Sequence, residues 1–403
     1  MSKPKVRIKG FYGDWEETRL KDFTSRVVRK NTGLQSTLPL TVSAQYGLVG
    51  QDTFFNSRIA STNIEGYYLL KNGEFAYNKS SSQGYPFGAV KRLDLHENGV
   101  LSTLYIVFDI DKENVDSDYV VSYFDTAAWH NEVRLRAAEG ARNHGLLNIS
   151  ADDFFDIKIL LPESITEQQA IGAFFSLFNK ELSNLTDKIA GLKSLKICYL
   201  RRLFPIGGGY EPNVRINGHT EPWKEEKAGE IFHSVSDKGH PELPVLSATQ
   251  DRGMVIRDES EKVVIHDKRN EVGYKRVIPG QFVIHLRSFQ GGFAHSSVEG
   301  ITSPAYTVME FIHPEEHDDR FWKYVFNSKE FIHRLRTVTY GIRDGRNINY
   351  EEFLGLPLKF PEKEEQTQIA DFFEELDKEI KLHEEELERL KALKQSCLNG
   401  MFV

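Results

Sequence analysis

Glu167-Gln168-x2-Ile171-x2-Phe174-Phe175 returns 198 residues later as Glu365-Gln366-x2-Ile369-x2-Phe372-Phe373. Each copy follows a proline, Pro162 or Pro361. Pro cannot sit inside a helix, while Ser164 or Thr166 can cap one, so a helix begins just after each proline. Its apolar residues in the first copy are Ile171, Phe174, Phe175, Phe178, Leu182, Leu185, Ile189 and Leu192. In the second they are Ile369, Phe372, Phe373, Leu376, Ile380, Leu387 and Leu390, with His383 interrupting the run. From Phe178 and from Leu376 the steps alternate four and three. That is the a/d seam of a coiled coil, and it needs a partner helix.

The simplest partner is the other copy, because the repeat extends in both directions. Upstream, Arg7-Ile8-x-Gly10-x4-Trp15-x-Glu17 returns as Arg215-Ile216-x-Gly218-x4-Trp223-x-Glu225. Gly66-Tyr67-x5-Gly73-x-Phe75 returns as Gly273-Tyr274-x5-Gly280-x-Phe282, and Ser81-x-Gln83-Gly84 as Ser288-x-Gln290-Gly291. Gly140-x-Arg142 and Asn148-Ile149 return as Gly341-x-Arg343 and Asn347-Ile348. Downstream, Lys193-x-Leu195-Lys196-x3-Leu200 returns as Lys391-x-Leu393-Lys394-x3-Leu398. The offset drifts from 208 to 198, as loop insertions produce. Two copies are too few for a solenoid, so this is a duplicated domain. Chain connectivity sends the second helix back along the first, so the pair is expected antiparallel. About 35–38 residues at 1.5 Å each span roughly 55 Å, some 16 base pairs of duplex.

Each body reads as mixed α and β. Glu74–Tyr77, Leu104–Phe108, Gln281–Leu286 and Tyr306–Phe311 read as strands. Tyr119–Ala138 and Phe321–Thr337 read as helices, with Asp118 and either Asp318 or Asp319 as caps. Trp15 and Trp223 read as hydrophobic anchors. The predicted layout is α+β: bodies over 1–163 and 207–362, long helices over 164–206 and 363–403, in a pseudo-two-fold internal duplication.

Composition narrows the function classes. The chain has 403 residues, 40% of them hydrophobic, which is ample for two cores. Its two cysteines, Cys198 and Cys397, form no CxxC or Cys/His cluster, which argues against a disulfide scaffold or structural zinc and for small core residues. No apolar run of transmembrane length and no signal-like N-terminus occurs, so a cytoplasmic, non-membrane protein is expected. The net charge is −8, but residues 362–391 hold twelve acidic and five basic residues, so the rest of the chain sums to −1 and can carry basic patches.

Catalytic motifs are wanting. There is no P-loop and no convincing nuclease arrangement. Ser303-Pro304-Ala305-Tyr306 approaches an adenine-methyltransferase motif, but its repeat counterpart, Ser102-Thr103-Leu104-Tyr105, does not, and no glycine-rich cofactor loop precedes it. Gly207-Gly208-Gly209 reads as a flexible joint, and Glu384-Glu385-Glu386 as a solvated or partner-facing helix surface.

The opening Arg-Ile-x-Gly…Trp phrase, the Asn-Ile…Phe…Pro phrase before each long helix, the Glu-Gln…Ile…Phe-Phe helix start and the two-fold layout together resemble the specificity subunit of type I restriction-modification systems, over nearly the whole chain. The resemblance implies two target-recognition domains reading the halves of an asymmetric, interrupted site on double-stranded DNA. The long helices become conserved spacers in an antiparallel coiled coil, which docks two adenine-N6 methyltransferase subunits; restriction/translocase subunits join these. The chain itself is then non-catalytic, and S-adenosylmethionine, ATP and Mg²⁺ belong to the partners. A scaffold that spaces two partners without touching DNA is the competing reading.

Base reading calls for Arg, Asn and Gln, and phosphate holding for Lys, Arg and Ser. Two loops per body carry them. The first is Asn78–Gly84, with Lys79, Ser81 and Gln83, and its counterpart carries Arg287, Ser288 and Gln290. The second carries Arg142 and Asn143 beside His144, and its counterpart carries Arg343, Arg346 and Asn347. Arg92 beside Lys91, and the pairs Arg134/Arg136 and Arg334/Arg336, are further basic candidates. Each also reads as an ordinary turn or a solvated face.

Overall fold

The computed structural model describes residues 3–55, 63–137, 147–206, 209–216, 218–249, 252–257, 268–285, 292–335, 339–340 and 347–402. The chain divides into two compact units, Met1–Thr186 with Glu385–Val403, and Asp187–Glu384. Each unit therefore contains one body, the start of the long helix that follows it, and the end of the other long helix.

The first body is built on a four-stranded antiparallel sheet in the order Thr24–Arg26, Ile106–Ile110, Phe75–Asn78, Ala89–Arg92. Alternate residues of a strand face opposite sides, and the central strand uses both. Phe75 and Tyr77 enter an aromatic core with Phe108, Trp129 and Phe154, while Ala76 joins Leu40, Val42, Leu70 and Leu101 on the other face. Two ladders cover that second face, Leu40–Ser43 with Gly47–Gly50 and Tyr68–Lys71 with Asn98–Leu101. The second body repeats the plan. Its sheet runs Phe232–Val235, Thr307–Phe311, Phe282–Ile284, Phe293–His295. Phe282 and Ile284 face the aromatic core, and Val283 faces Leu246, Met254 and Val277. The duplication read from scattered motifs is thus a duplication of topology.

The motif residues have structural reasons. The strand after Trp15, Glu16–Arg19, pairs with Lys158–Leu161, the strand that delivers the chain to the first long helix; Lys224–Lys227 pairs likewise with Pro357–Phe360. Both tryptophans are 3% exposed anchors, Trp15 against Tyr119 and Phe402, Trp223 against Phe204 and Phe321.

The expected single helices after each sheet are two short helices each: Ser117–Phe124 and His130–Arg136, then Asp319–Phe326 and Lys329–Leu335. The first of each pair ends where Asp125 or Asn327 caps it and the next residues fold into a turn, tied in the first body by Thr126 Oγ1 donating to the Tyr123 carbonyl. The N-caps are Asp116 and Asp318, so Asp118 lies one residue inside the helix it was expected to cap.

The long helices run Ile165–Arg202 and Lys363–Met401, and Ser164 begins the first, its Oγ accepting from the Glu167 N–H. Burial follows the predicted seam. Leu185, Ile189, Leu376 and Ile380 are buried, and Phe174, Phe178, Leu182, Leu192, Phe372, Leu387 and Leu390 are half-buried with exposed residues between them. His383 keeps its place in the seam, half-buried. The pairing is antiparallel: in the second unit Lys193 meets Glu384, Lys196 meets Asp377 and Tyr199 meets Phe372 edge to face, so partner numbers fall as those of the first helix rise. Of the two cysteines, Cys397 packs half-buried against the first core, whereas Cys198 is exposed because it falls outside the seam. Among the described residues no helix is long and apolar enough to cross a membrane.

Candidate nucleic-acid interface

The first nominated loop begins where the strand Phe75–Asn78 ends. Asn78 Oδ1 accepts from the Ser80 N–H, turning the chain, and Ser82 and Tyr85 exchange backbone hydrogen bonds at 2.9 and 3.2 Å around Gly84, whose φ is +81°. Gly88 closes the loop; a Cβ there would lie 2.0 Å from the Asn78 carbonyl oxygen, so only glycine fits. This small fixed turn presents Ser81 and Gln83 on its exposed side. Lys79 is half-buried and Nζ donates to the Ile149 carbonyl at 3.4 Å.

Leu147, three residues past the second nominated loop, donates its N–H to the Lys79 carbonyl at 2.9 Å. The chain just past the second loop is therefore tied to the base of the first, while Arg142 and Asn143 themselves lie outside the described residues. So do Arg287, Ser288, Gln290, Arg343 and Arg346 in the second body. There the first loop springs from a hairpin closed by His285 N–H to the Gly292 carbonyl, and the second from the ladder Thr339–Tyr340 with Asn347–Ile348, which places the Asn347 backbone.

Arg92 is held on three sides. Its guanidinium meets Asp94 at 2.6 Å, Ser117 Oγ at 2.7 Å and Asp118 at 2.7 Å, fastening the edge strand to the helix Ser117–Phe124. A contact to DNA would require it to leave these partners. Neighbouring Lys91 pairs with Asp125 at 2.7 Å, and Lys394 from the end of the second long helix approaches the same carboxylate at 2.8 Å. Burial pushes the Asp125 carboxyl up, but the two ammonium groups outweigh it and hold it below the usual carboxylate range. Arg136 pairs with Glu132, and Arg334 donates to the Pro357 carbonyl, so these cations also brace the body.

The Glu-Gln pair at the start of each long helix is a clamp whose partners lie far off in sequence. Glu167 accepts two hydrogen bonds from Arg7, both 2.7 Å; Glu365 holds Arg215 in the same forked way. Gln168 Oε1 accepts from the Asp116 N–H while Nε2 donates to the Pro162 carbonyl. Gln366 does the same with Asp318 and Pro361. Each clamp fixes the opening segment and the cap of the following helix to the long-helix start, so the loops are carried on a braced frame.

Residues 221–392 match the family model described as the type I restriction modification DNA specificity domain. No curated protein matches the chain. Among solved structures, the type I restriction-modification system S subunit from M. genitalium is similar over 100% of this chain and 99% of its own, with a TM-score of 0.60 at 15% identity. A chain from a structure titled for complex assembly and conformational transition of the type I R-M system covers 97% of this chain and 98% of its own, with a TM-score of 0.52 at 14% identity. The resemblance read from the sequence is thus met by a family match in the second half and by the fold of the whole.

Proposed function

We propose that the chain is the sequence-reading subunit of a type I modification or restriction assembly. Each body reads one half of an asymmetric, interrupted site on double-stranded DNA, and the paired helices set the gap between the halves. The observation that carries this reading is the duplicated frame with unlike loops. The sheet order, the Glu-Gln clamps and the capped helices are common to both bodies, whereas the polar loops share only the Ser-x-Gln-Gly and Gly-x-Arg phrases and differ around them. A constant frame with variable loops suits two related but distinct ligands, and two half-sites of one duplex are such a pair. The long helices, 38 and 39 residues, each span about 57 Å, close to seventeen base-pair steps.

The chemistry belongs to partners on this reading: two adenine-N6 methyltransferase subunits on the helices, with S-adenosylmethionine, and restriction/translocase subunits with ATP and Mg²⁺. The chain contributes position, by holding base-contacting groups on rigid elements and spacing the halves. The acidic surface of the second long helix favours docking of a basic partner face there. Taken alone, that surface also suits the scaffold reading, in which two partners are spaced without DNA.

Binding separates the two. The chain with its methyltransferase partner is expected to retain an interrupted duplex against random competitor, with affinity falling steeply as salt rises. Equal retention of every duplex, or none, would leave the scaffold reading standing. The purified chain alone is expected to transfer no methyl group.

A further inference from the structure

Each body has one more duplicated element that sequence motifs did not single out. It is the hairpin Leu40–Ser43/Gly47–Gly50 and its counterpart Leu246–Thr249/Gly253–Ile256, with the same four-residue register. Each has the same side-chain hydrogen bond: Ser43 Oγ accepts from the Tyr46 N–H, and Thr249 Oγ1 from the Arg252 N–H, both at 3.1 Å. A glycine of positive φ follows in each, Gly47 at +83° and Gly253 at +70°. The bases of both hairpins are core, with Leu40 and Leu246 each 1% exposed. The second lies flush on its sheet, since a Cβ on Gly253 would sit 2.2 Å from the His295 carbonyl oxygen. The first is tied to the polar loop already described, because the Asn78 side-chain amide donates to the Val42 carbonyl at 3.4 Å.

The frame is constant and the tip is not. The first hairpin presents Tyr46, 60% exposed, with its ring edge on Phe54, which is itself 42% exposed, at 6.1 Å between centroids. Two large, partly exposed rings side by side form an apolar shelf on the surface. The second hairpin presents Arg252 at the same register position. Its guanidinium meets no acceptor among the described residues, and it borders a recess of about 220 Å³ with His295, Ser297, Lys323 and Asn327. The one carboxylate lining that recess among the described residues, Glu374, is held by Arg320 at 3.0 Å.

We propose that these two hairpins present Tyr46 and Arg252 to the major groove as specificity-determining residues; this rests on the DNA-reading function proposed above. A two-stranded ribbon fits the width of the major groove, where a forked guanidinium matches the paired acceptors of guanine and an apolar ring matches the thymine methyl. Because the strands of each hairpin are anchored in a core, Tyr46 and Arg252 stand on fixed supports and little freedom of those supports is lost on binding.

The test uses the full chain with its methyltransferase partner and duplex oligonucleotides carrying every single base-pair change in both half-sites. Arg252→Ala is expected to weaken cognate binding roughly 5- to 150-fold. Discrimination is lost at one base pair of one half-site, while the other half-site and the salt slope stay unchanged. Arg252→Lys does not restore it, because the fork is gone. Tyr46→Ala does the same in the other half-site, and Tyr46→Leu, which keeps an apolar tip, guards against a merely unfolded hairpin. Uniform weakening of all duplexes with a salt slope lower by about one would make Arg252 a phosphate contact and overturn the proposal. Unchanged discrimination in both variants would also overturn it. A wild-type complex without any sequence preference would instead refute the DNA-reading function itself.

Discussion

Phe402 is the last described residue of the chain, yet it belongs to the core of the first body. It is 7% exposed, and its ring contacts Tyr119 at 5.4 Å, Phe175 at 5.8 Å, Tyr123 at 6.1 Å and Trp15 at 6.2 Å. Phe402→Ala should leave a cavity among four aromatic rings that are themselves packed and cannot collapse into it. Such truncations cost about 3 to 5 kcal/mol. In a unit of this size that is roughly 6 to 20 °C of melting temperature. The four tryptophans allow a clean assay: Trp15 and Trp129 lie in the first unit, Trp223 and Trp322 in the second. With Trp223 and Trp322 changed to Phe, urea unfolding followed by fluorescence reports the first unit, and Phe402→Ala should lower its midpoint. With Trp15 and Trp129 changed instead, the same substitution should move the second unit little, whereas Phe204→Ala, the counterpart packed on Trp223, Phe321 and Phe373, should move it strongly. A loss under 1 kcal/mol in the first unit, or equal losses in both, would refute the view that the end of the second long helix is part of the first body.

Three further outcomes are expected. His317 is buried against Phe311, Trp322 and Phe360, and burial, helped by Lys363, pulls its pKa down to about 4. The fold therefore favours the neutral ring. Its contribution is intact above pH 6.5 and is lost as pH falls from about 6.5 to 4, on the order of 3 kcal/mol; His317→Val, matching Val115 in the first body, should flatten the fall in urea midpoint of the second unit, and parallel curves would contradict this. Gln366→Ala unpairs the Asp318 N–H and the Glu316 and Pro361 carbonyls, all served by one buried amide, so a loss of about 3 kcal/mol is expected and one below 1 kcal/mol would exclude the clamp. Removing one heptad from each long helix should shorten the gap in the target by about 10 Å, or about three base pairs, with both half-sequences kept; altered half-sequences would count against the helices as a spacer.

What the sequence made legible was whatever repeats or is periodic. The a/d steps of the long helices are a local pattern, and burial follows them residue by residue through Leu192 and Leu390. Trp15 and Trp223 were readable as anchors because each stands in a phrase written twice. What escaped depends on distant partners. The roles of Glu167 and Gln168 need Arg7 and Asp116, 160 and 52 residues away. The break after Phe124 follows from Asp125 turning inward to Lys91 and Lys394, which no helix propensity records. The hairpins at Ser43–Gly47 and Thr249–Gly253 share only a hydroxyl and a glycine, and their four-residue strands are too short for a clear period-two pattern. Arg92 looked available as one of two adjacent cations; Asp94 stands two residues away, but Asp118, which also holds it, becomes its neighbour only in the fold.

The central claim is that two unlike readers on one duplicated frame address a single interrupted site. The most direct measurement is the set of N6-methylated adenines in cells carrying this chain with its methyltransferase partner. The account predicts one asymmetric motif in two specified parts separated by a fixed run of unspecified bases, in which exchanging residues 207–362 for the matching body of a relative changes one part only. A continuous motif, a change in both parts, or methylation without sequence preference would contradict it.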